Sequence, residues 1–159
     1  MSKVLVILEV AAGKLRPHCL PGITAAAQIA AKTGSELQLL VLGAEPNQAA
    51  QAIAQAGYGA TGVLTLAAAG LEPFTAEAWG DAIVHAVKAT GATIIGGSAS
   101  STLRDALPRA AALLDAPLVP DVVQVKSANV FTRPISAGRA LIDVQVNAPI
   151  VFFTARGTE

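Results

Sequence analysis

The sequence predicts a three-layer α/β/α fold with a mainly parallel sheet and a β-rich extension at its C-terminal end, within a single domain spanning residues 1–159. Three observations predict it. Strand-like runs of Val, Leu and Ile alternate with Ala-rich stretches of helical period over the first 115 residues. The opening run, Val4-Leu5-Val6-Ile7-Leu8, is apolar throughout, as a strand covered on both faces is. After Pro117 the runs turn extended, with no helix between them. Alternation of the first kind feeds right-handed crossovers between parallel strands and places helices on both faces of the sheet.

Each element follows from local pattern. After the Val4–Leu8 strand, Ile23, Ala26, Ala27 and Ala30 recur at helical spacing within Pro17–Thr33, and Gly34 ends that helix. Pro17 and Pro21 both suit a first turn, which leaves the helix start open or kinked. Leu37–Leu42 reads as the second strand, Asn47–Ala56 as a short helix closed by Gly57, and Gly62–Leu66 as the third strand. Thr75–Thr90 is the clearest amphipathic helix: Trp79, Ile83, Ala86 and Val87 form one stripe, and Glu77, Asp81, His85 and Lys88 the opposite one. Thr93–Gly96 is the fourth strand, followed by a loop over Gly97–Thr102 and a helix ending near Asp115. Leu103, Leu107, Ala110, Ala111 and Leu114 are its inner face, and Pro108 implies a late start or a kink. The runs Val122–Val125, Val130–Ile135, Arg139–Val146 and Ile150–Phe153 read as a hairpin or meander, with Ala140, Ile142, Val144 and Val146 on the buried side.

The totals exclude several classes of function. Apolar residues make up 53% and charged residues 14%, which argues for a packed core and against disorder. Eleven Lys and Arg balance eleven Asp and Glu, so no bulk charge draws in nucleic acid or an anionic membrane. Cys19 is the single cysteine and His18 and His85 the two histidines, which allows neither an internal disulfide nor a metal motif. The short start before Glu9 is no signal peptide and no run is long enough to span a bilayer, so the expected address is cytoplasmic, or the mitochondrial matrix in a eukaryote.

Ligands of such sheets sit beyond the carboxyl ends of the strands. That directs attention to the loops Glu9–Arg16, Gly43–Pro46, Ala67–Phe74 and Gly97–Arg104. Gly96, Gly97, Ser98, Ser100, Ser101 and Thr102, together with Gly43, could cradle an anion or nucleotide, because glycines let N–H groups approach a phosphate and a helix N-terminus completes the site. The stretch has neither the Gly-Lys-Ser/Thr ending of a P-loop nor a GxGxxG fingerprint, and an ordinary hydroxyl-capped strand-to-helix turn is the preferred reading. Val10–Lys14 has one glycine and no hydroxyl, which disfavours a nucleotide hydrolase or ligase. Asp81 and His85 have the spacing of a surface ion pair, and Cys19 reads as a small buried hydrophobe beside His18. Arg104, Arg133, Ser136 and Arg139 are candidates for a partner-facing edge, since arginine is enriched at interfaces. No catalytic residue is identified.

The stretch Arg133-Pro134-Ile135-Ser136-Ala137-Gly138-Arg139-Ala140-Leu141 resembles a signature of electron transfer flavoprotein alpha subunits, Arg-Pro-Ile-Tyr-Ala-Gly-Asn-Ala-Leu, in their N-terminal domain. Leu107-Pro108-Arg109-Ala110-Ala111, Leu118-Val119-Pro120-Asp121-Val122, Val4–Glu9 and Leu39–Gly43 are similar to further segments of that domain, in the same order. Ser136 and Arg139 depart from the usual Tyr and Asn. The resemblance implies a fold similar to the adenine-nucleotide alpha-hydrolase superfamily and a scaffold role, packing against a beta subunit as a heterodimer. It also implies FAD in the full-length protein, bound mostly by a second domain that has no counterpart in these residues, so no cofactor is expected in this chain alone. The competing expectation is a stand-alone adenine-nucleotide-binding module built on the Gly96–Thr102 loop.

Overall fold

The computed structural model describes residues 2–157. Its core is a six-stranded sheet built from β1 (Lys3–Leu8), β4 (Glu36–Gly43), β5 (Gly62–Ala67), β6 (Ile94–Ser98), β7 (Leu118–Val122) and β11 (Val151–Ala155), in the order β5-β4-β1-β6-β11-β7. Every pairing in that sheet is parallel. β1 alternates between two cores, which is why it is apolar at each position. Val4, Val6 and Leu8 pack on the face that carries α1 (Leu20–Thr33) and α2 (Asn47–Ala56). Leu5 and Ile7 pack on the other, with α3 (Ala76–Thr90) and α4 (Ser101–Leu113). The three-layer α/β/α architecture expected from the strand–helix alternation is the one observed.

The helix ends obey local chemistry. Gly34 and Gly91 take left-handed φ of 64° and 70° and close α1 and α3 with bonds back to the Ala30 and Val87 carbonyls. The Thr75 hydroxyl caps α3 by accepting from the Ala78 N–H. The two early prolines are accommodated by two successive starts: Pro17 opens a short 3-10 turn, Pro17–Cys19, and Pro21 occupies the first turn of α1. Pro108 neither delays nor ends α4, which runs through it from Ser101 to Leu113. Pro108 and Arg104, four residues earlier, both lie on the exposed side, where the loss of one helix hydrogen bond costs least.

Three expectations are corrected. The fourth main strand continues through Gly97 and Ser98, which pair with Thr154 and Ala155, so the connection to α4 is only Ala99-Ser100. The run beginning near Ile150 is not part of a C-terminal meander: β11 inserts into the main sheet between β6 and β7. The antiparallel part is a three-stranded sheet of β8 (Gln124–Val125), β9 (Val130–Ile135) and β10 (Ala140–Gln145), in the order β10-β9-β8. Nor is β10 half-buried as its alternation suggested. Only Val144 is partly covered, and Leu141 and Ile142 are exposed. The Val10–Leu15 segment forms a hairpin of β2 (Val10–Ala11) and β3 (Lys14–Leu15).

Candidate functional site

Strand order reverses at β1: β4 and β5 lie to one side and β6 to the other. A crevice therefore opens where the chain leaves β1 and β6 in opposite directions. The structure has a cleft of about 570 Å³ there, within the range of small-molecule sites. One wall is apolar: Leu42, Leu71, Phe74 and Trp79. The Trp79 ring meets Phe74 edge to face at 5.4 Å, and its indole N–H donates to the Leu71 carbonyl at 3.1 Å, fixing that wall. The opposite wall carries Glu9, Arg16, His18 and the first turn of α4, Ser100 to Thr102.

Glu9 organises the polar wall. It follows β1 directly and is only 8% exposed. Its carboxylate takes a hydrogen bond from the Ser100 hydroxyl through Oε1, and Oε2 lies 3.1 Å from His18 Nε2. Ser100 is also the N-cap of α4, accepting from the Leu103 N–H at 3.1 Å. The Glu9 backbone is held in turn by Cys19. Its N–H lies 3.3 Å from Cys19 Sγ, and the thiol donates to the Glu9 carbonyl at 3.4 Å. Burial, reinforced by the Glu9 charge, pushes the Cys19 thiol up to about 11, so it is a packed, protonated group and no nucleophile.

The candidate residues fall into distinct places. Ser100, Ser101 and Thr102 line the cleft. Gly96, Gly97 and Ser98 lie within β6, and their small size serves packing. A Cβ on Gly96 would meet the Phe153 ring at 2.3 Å, and one on Gly97 would meet Leu103 Cδ1 at 2.4 Å. Ser98 is buried and accepts from the Gly22 N–H at 2.9 Å, tying the start of α1 to the end of β6. Gly43 ends β4, and beside it Glu72 Oε1 accepts from the Ala44 N–H at 3.2 Å. Sequence reasoning pointed to the Glu9–Arg16 loop by its place after the first strand but not to Glu9 itself, because its partner Ser100 is 91 positions away. A further signal was a charged residue directly after an all-apolar strand.

Two of the candidate edge residues, Arg104 and Arg133, meet at a second feature, the Pro120–Asp121 bend. Asp121 has φ of 56° beside an irregularity in the β11–β7 pairing, and its N–H donates to Thr154 Oγ1 at 2.9 Å. Arg104 bridges the Asp121 carboxylate at 2.8 Å, and Arg133 Nε donates to the Pro120 carbonyl at 2.9 Å. Ser136 and Arg139 are exposed at the tip of the β9–β10 hairpin, where Ser136, Ala137 and Gly138 all have positive φ. The expected Asp81–His85 pair is replaced: Asp81 meets Arg109 of α4 at 3.3 Å. Among the described residues, no cluster of His, Cys, Asp and Glu could hold a metal, and no helix is long and apolar enough to cross a membrane.

A comparison with protein families matches residues 4–159 to the electron transfer flavoprotein domain. The chain belongs to the electron transfer flavoprotein domain family. Its similar proteins include the probable electron transfer flavoprotein subunit alpha, mitochondrial, of Caenorhabditis elegans, 35% identical over 99% of this chain and 46% of that protein. The electron transfer flavoprotein subunit alpha, mitochondrial, of Oryza sativa subsp. japonica is 33% identical over 89% of this chain and 40% of its own length. That of Arabidopsis thaliana is 30% identical over 89% and 39%. The chain thus spans less than half the length of these relatives. Within the family, the resemblance read from Arg133–Leu141 maps onto the β9–β10 hairpin.

Proposed function

We propose that the chain is the N-terminal scaffold domain of an electron transfer flavoprotein alpha subunit, serving flavin-mediated electron transfer by assembly and performing no chemistry itself. It packs against a beta subunit and against the domain that holds FAD. The observation that carries this reading is the outer strand β10. Among the described residues it pairs only with β9 and no strand pairs with its other edge, and it presents Leu141 at 63% and Ile142 at 37% exposure. An exposed apolar edge strand is a liability in a free monomer and an asset at an interface. Ser136 and Arg139 continue that surface at the hairpin tip.

The residues at the crevice do not fit a flavin dinucleotide. A pyrophosphate needs N–H groups approachable at a glycine turn, whereas Gly96 and Gly97 lie under Phe153 and Leu103, and a carboxylate stands at the start of α4. The flavin belongs to another part of the assembly. A stand-alone adenine-nucleotide module has the size and position of the cleft in its favour, and that same carboxylate against it.

Co-expression with the cognate beta subunit is the test. The reading expects one complex on gel filtration, weakened about ten- to a hundredfold by Leu141→Asp, the equivalent of one buried leucine. Separate elution of two folded proteins sinks it. Calorimetric titration with AMP tests the module reading, which predicts micromolar binding lost in Ser100→Ala.

A further inference from the structure

We propose that Glu9 is a built-in anion: its carboxylate occupies the place at the switch point where a ligand phosphate would otherwise sit, and so makes the cleft select against phosphorylated ligands. In sheets of this topology the ligand site lies at the reversal of strand order, and an anion is drawn to the N-terminus of the helix that follows. Here that helix is α4, thirteen residues long, and its N-cap Ser100 donates to Glu9 Oε1. The carboxylate gains what a phosphate would gain: a hydroxyl donor, the positive end of a helix, and an imidazole at 3.1 Å.

Burial makes the arrangement exclusive. A carboxylate 8% exposed persists only where its charge is compensated, and these groups compensate it. A phosphate entering the cleft would compete for the same donors and bring a second negative charge within a few ångströms. Glu9 cannot easily withdraw, because its N–H and carbonyl are both tied to Cys19 and β1 fixes the residue before it. The other charged groups around the cleft do not reverse the balance. Among the described residues Arg16 is the one Lys or Arg lining it, and Glu72 lines it as a second carboxylate beside Glu9.

The test titrates the purified chain with inorganic phosphate and with AMP, followed by calorimetry and phosphorus NMR. It compares wild type with Glu9→Ala, Glu9→Gln and Glu9→Asp. The proposal expects no saturable binding by the wild type at millimolar ligand, a gain of at least about tenfold in Glu9→Ala and Glu9→Gln, and none in Glu9→Asp, which keeps the charge. Circular-dichroism melts identify the variants that are folded, and one folded neutral variant suffices for the comparison. Saturable phosphate or AMP binding by the wild type overturns the proposal by itself. A folded neutral variant with no gain overturns it equally. Neither result bears on association with a beta subunit, so the scaffold reading stands or falls separately.

Discussion

Replacing Gly22 by alanine sets helix propensity against close packing, and the geometry decides between them. Gly22 lies in the first turn of α1, where alanine in place of glycine favours a helix by up to about 1 kcal/mol. A Cβ at that position would stand 2.5 Å from the Ser98 nitrogen, 2.6 Å from the Gly97 carbonyl carbon and 2.9 Å from the Gly97 Cα. Ordinary contact between carbons is about 3.5–4.0 Å, so α1 must rise by roughly 1 Å. The obstructing atoms are backbone of a central strand paired on both sides, and they cannot turn away as a side chain would. Lifting α1 also strains the 2.9 Å bond from the Gly22 N–H to Ser98 Oγ, worth about 1 kcal/mol, and loosens Ile23, Ala25 and Ala26 in the core. Overpacking of this kind costs about 1–3 kcal/mol. Adding the strained bond and subtracting the propensity gain leaves a net loss of about 1–3 kcal/mol, or a Tm lowered by about 3–10 °C in a domain of this length. Urea and thermal denaturation read it directly. Gly62→Ala, where nothing lies within 4 Å of the new methyl and φ is not positive, is the control expected to change little. An unchanged or higher Tm in Gly22→Ala would refute the packing argument and leave propensity as the stronger effect.

Other perturbations test separate parts of the structure. Gly96→Ala drives a methyl into the fully buried Phe153 ring, so it should destabilise by about 2 kcal/mol or more in urea melts. Cys19, with its thiol pushed up to about 11 by burial, should resist a thiol reagent at pH 8 in the native protein and react stoichiometrically in guanidinium. Its folded value lies above the unfolded one, so its contribution to stability is complete below about pH 9 and declines as pH rises toward 11, which alkaline melts of wild type and Cys19→Ala would separate. Asp143 is held below its ordinary value by the hydrogen bond from Lys126 Nζ at 2.6 Å, then by Thr132 Oγ1 at 2.7 Å across the β9–β10 pair. Its contribution is therefore present above about pH 4 and lost as pH falls through the folded value; Asp143→Asn should flatten that part of the acid stability profile.

The sequence by itself determined the local grammar: the main strands and helices of the first 115 residues, the glycine stops at Gly34 and Gly57, and the layered fold that follows from an apolar strand set between helices of period 3.6. Those features depend on residues within a turn or two of one another, where side-chain type and backbone preference act directly. Family resemblance was legible in the same way, as a contiguous run over Arg133–Leu141. What only the tertiary structure decided is how distant segments meet. β11 lies between β6 and β7 because Phe152 and Phe153 fill the two opposite cores, a choice that nothing within its own five residues expresses. Whether Gly96 and Gly97 serve a ligand turn or packing is decided by Phe153 and Leu103, which occupy the space a Cβ would need. The Glu9–Ser100 contact, which gives the cleft its charge, joins the ends of two neighbouring strands separated by most of the chain's crossovers. Periodicity reports which face of an element is buried; the partner that buries it is chosen by the packing of the whole sheet.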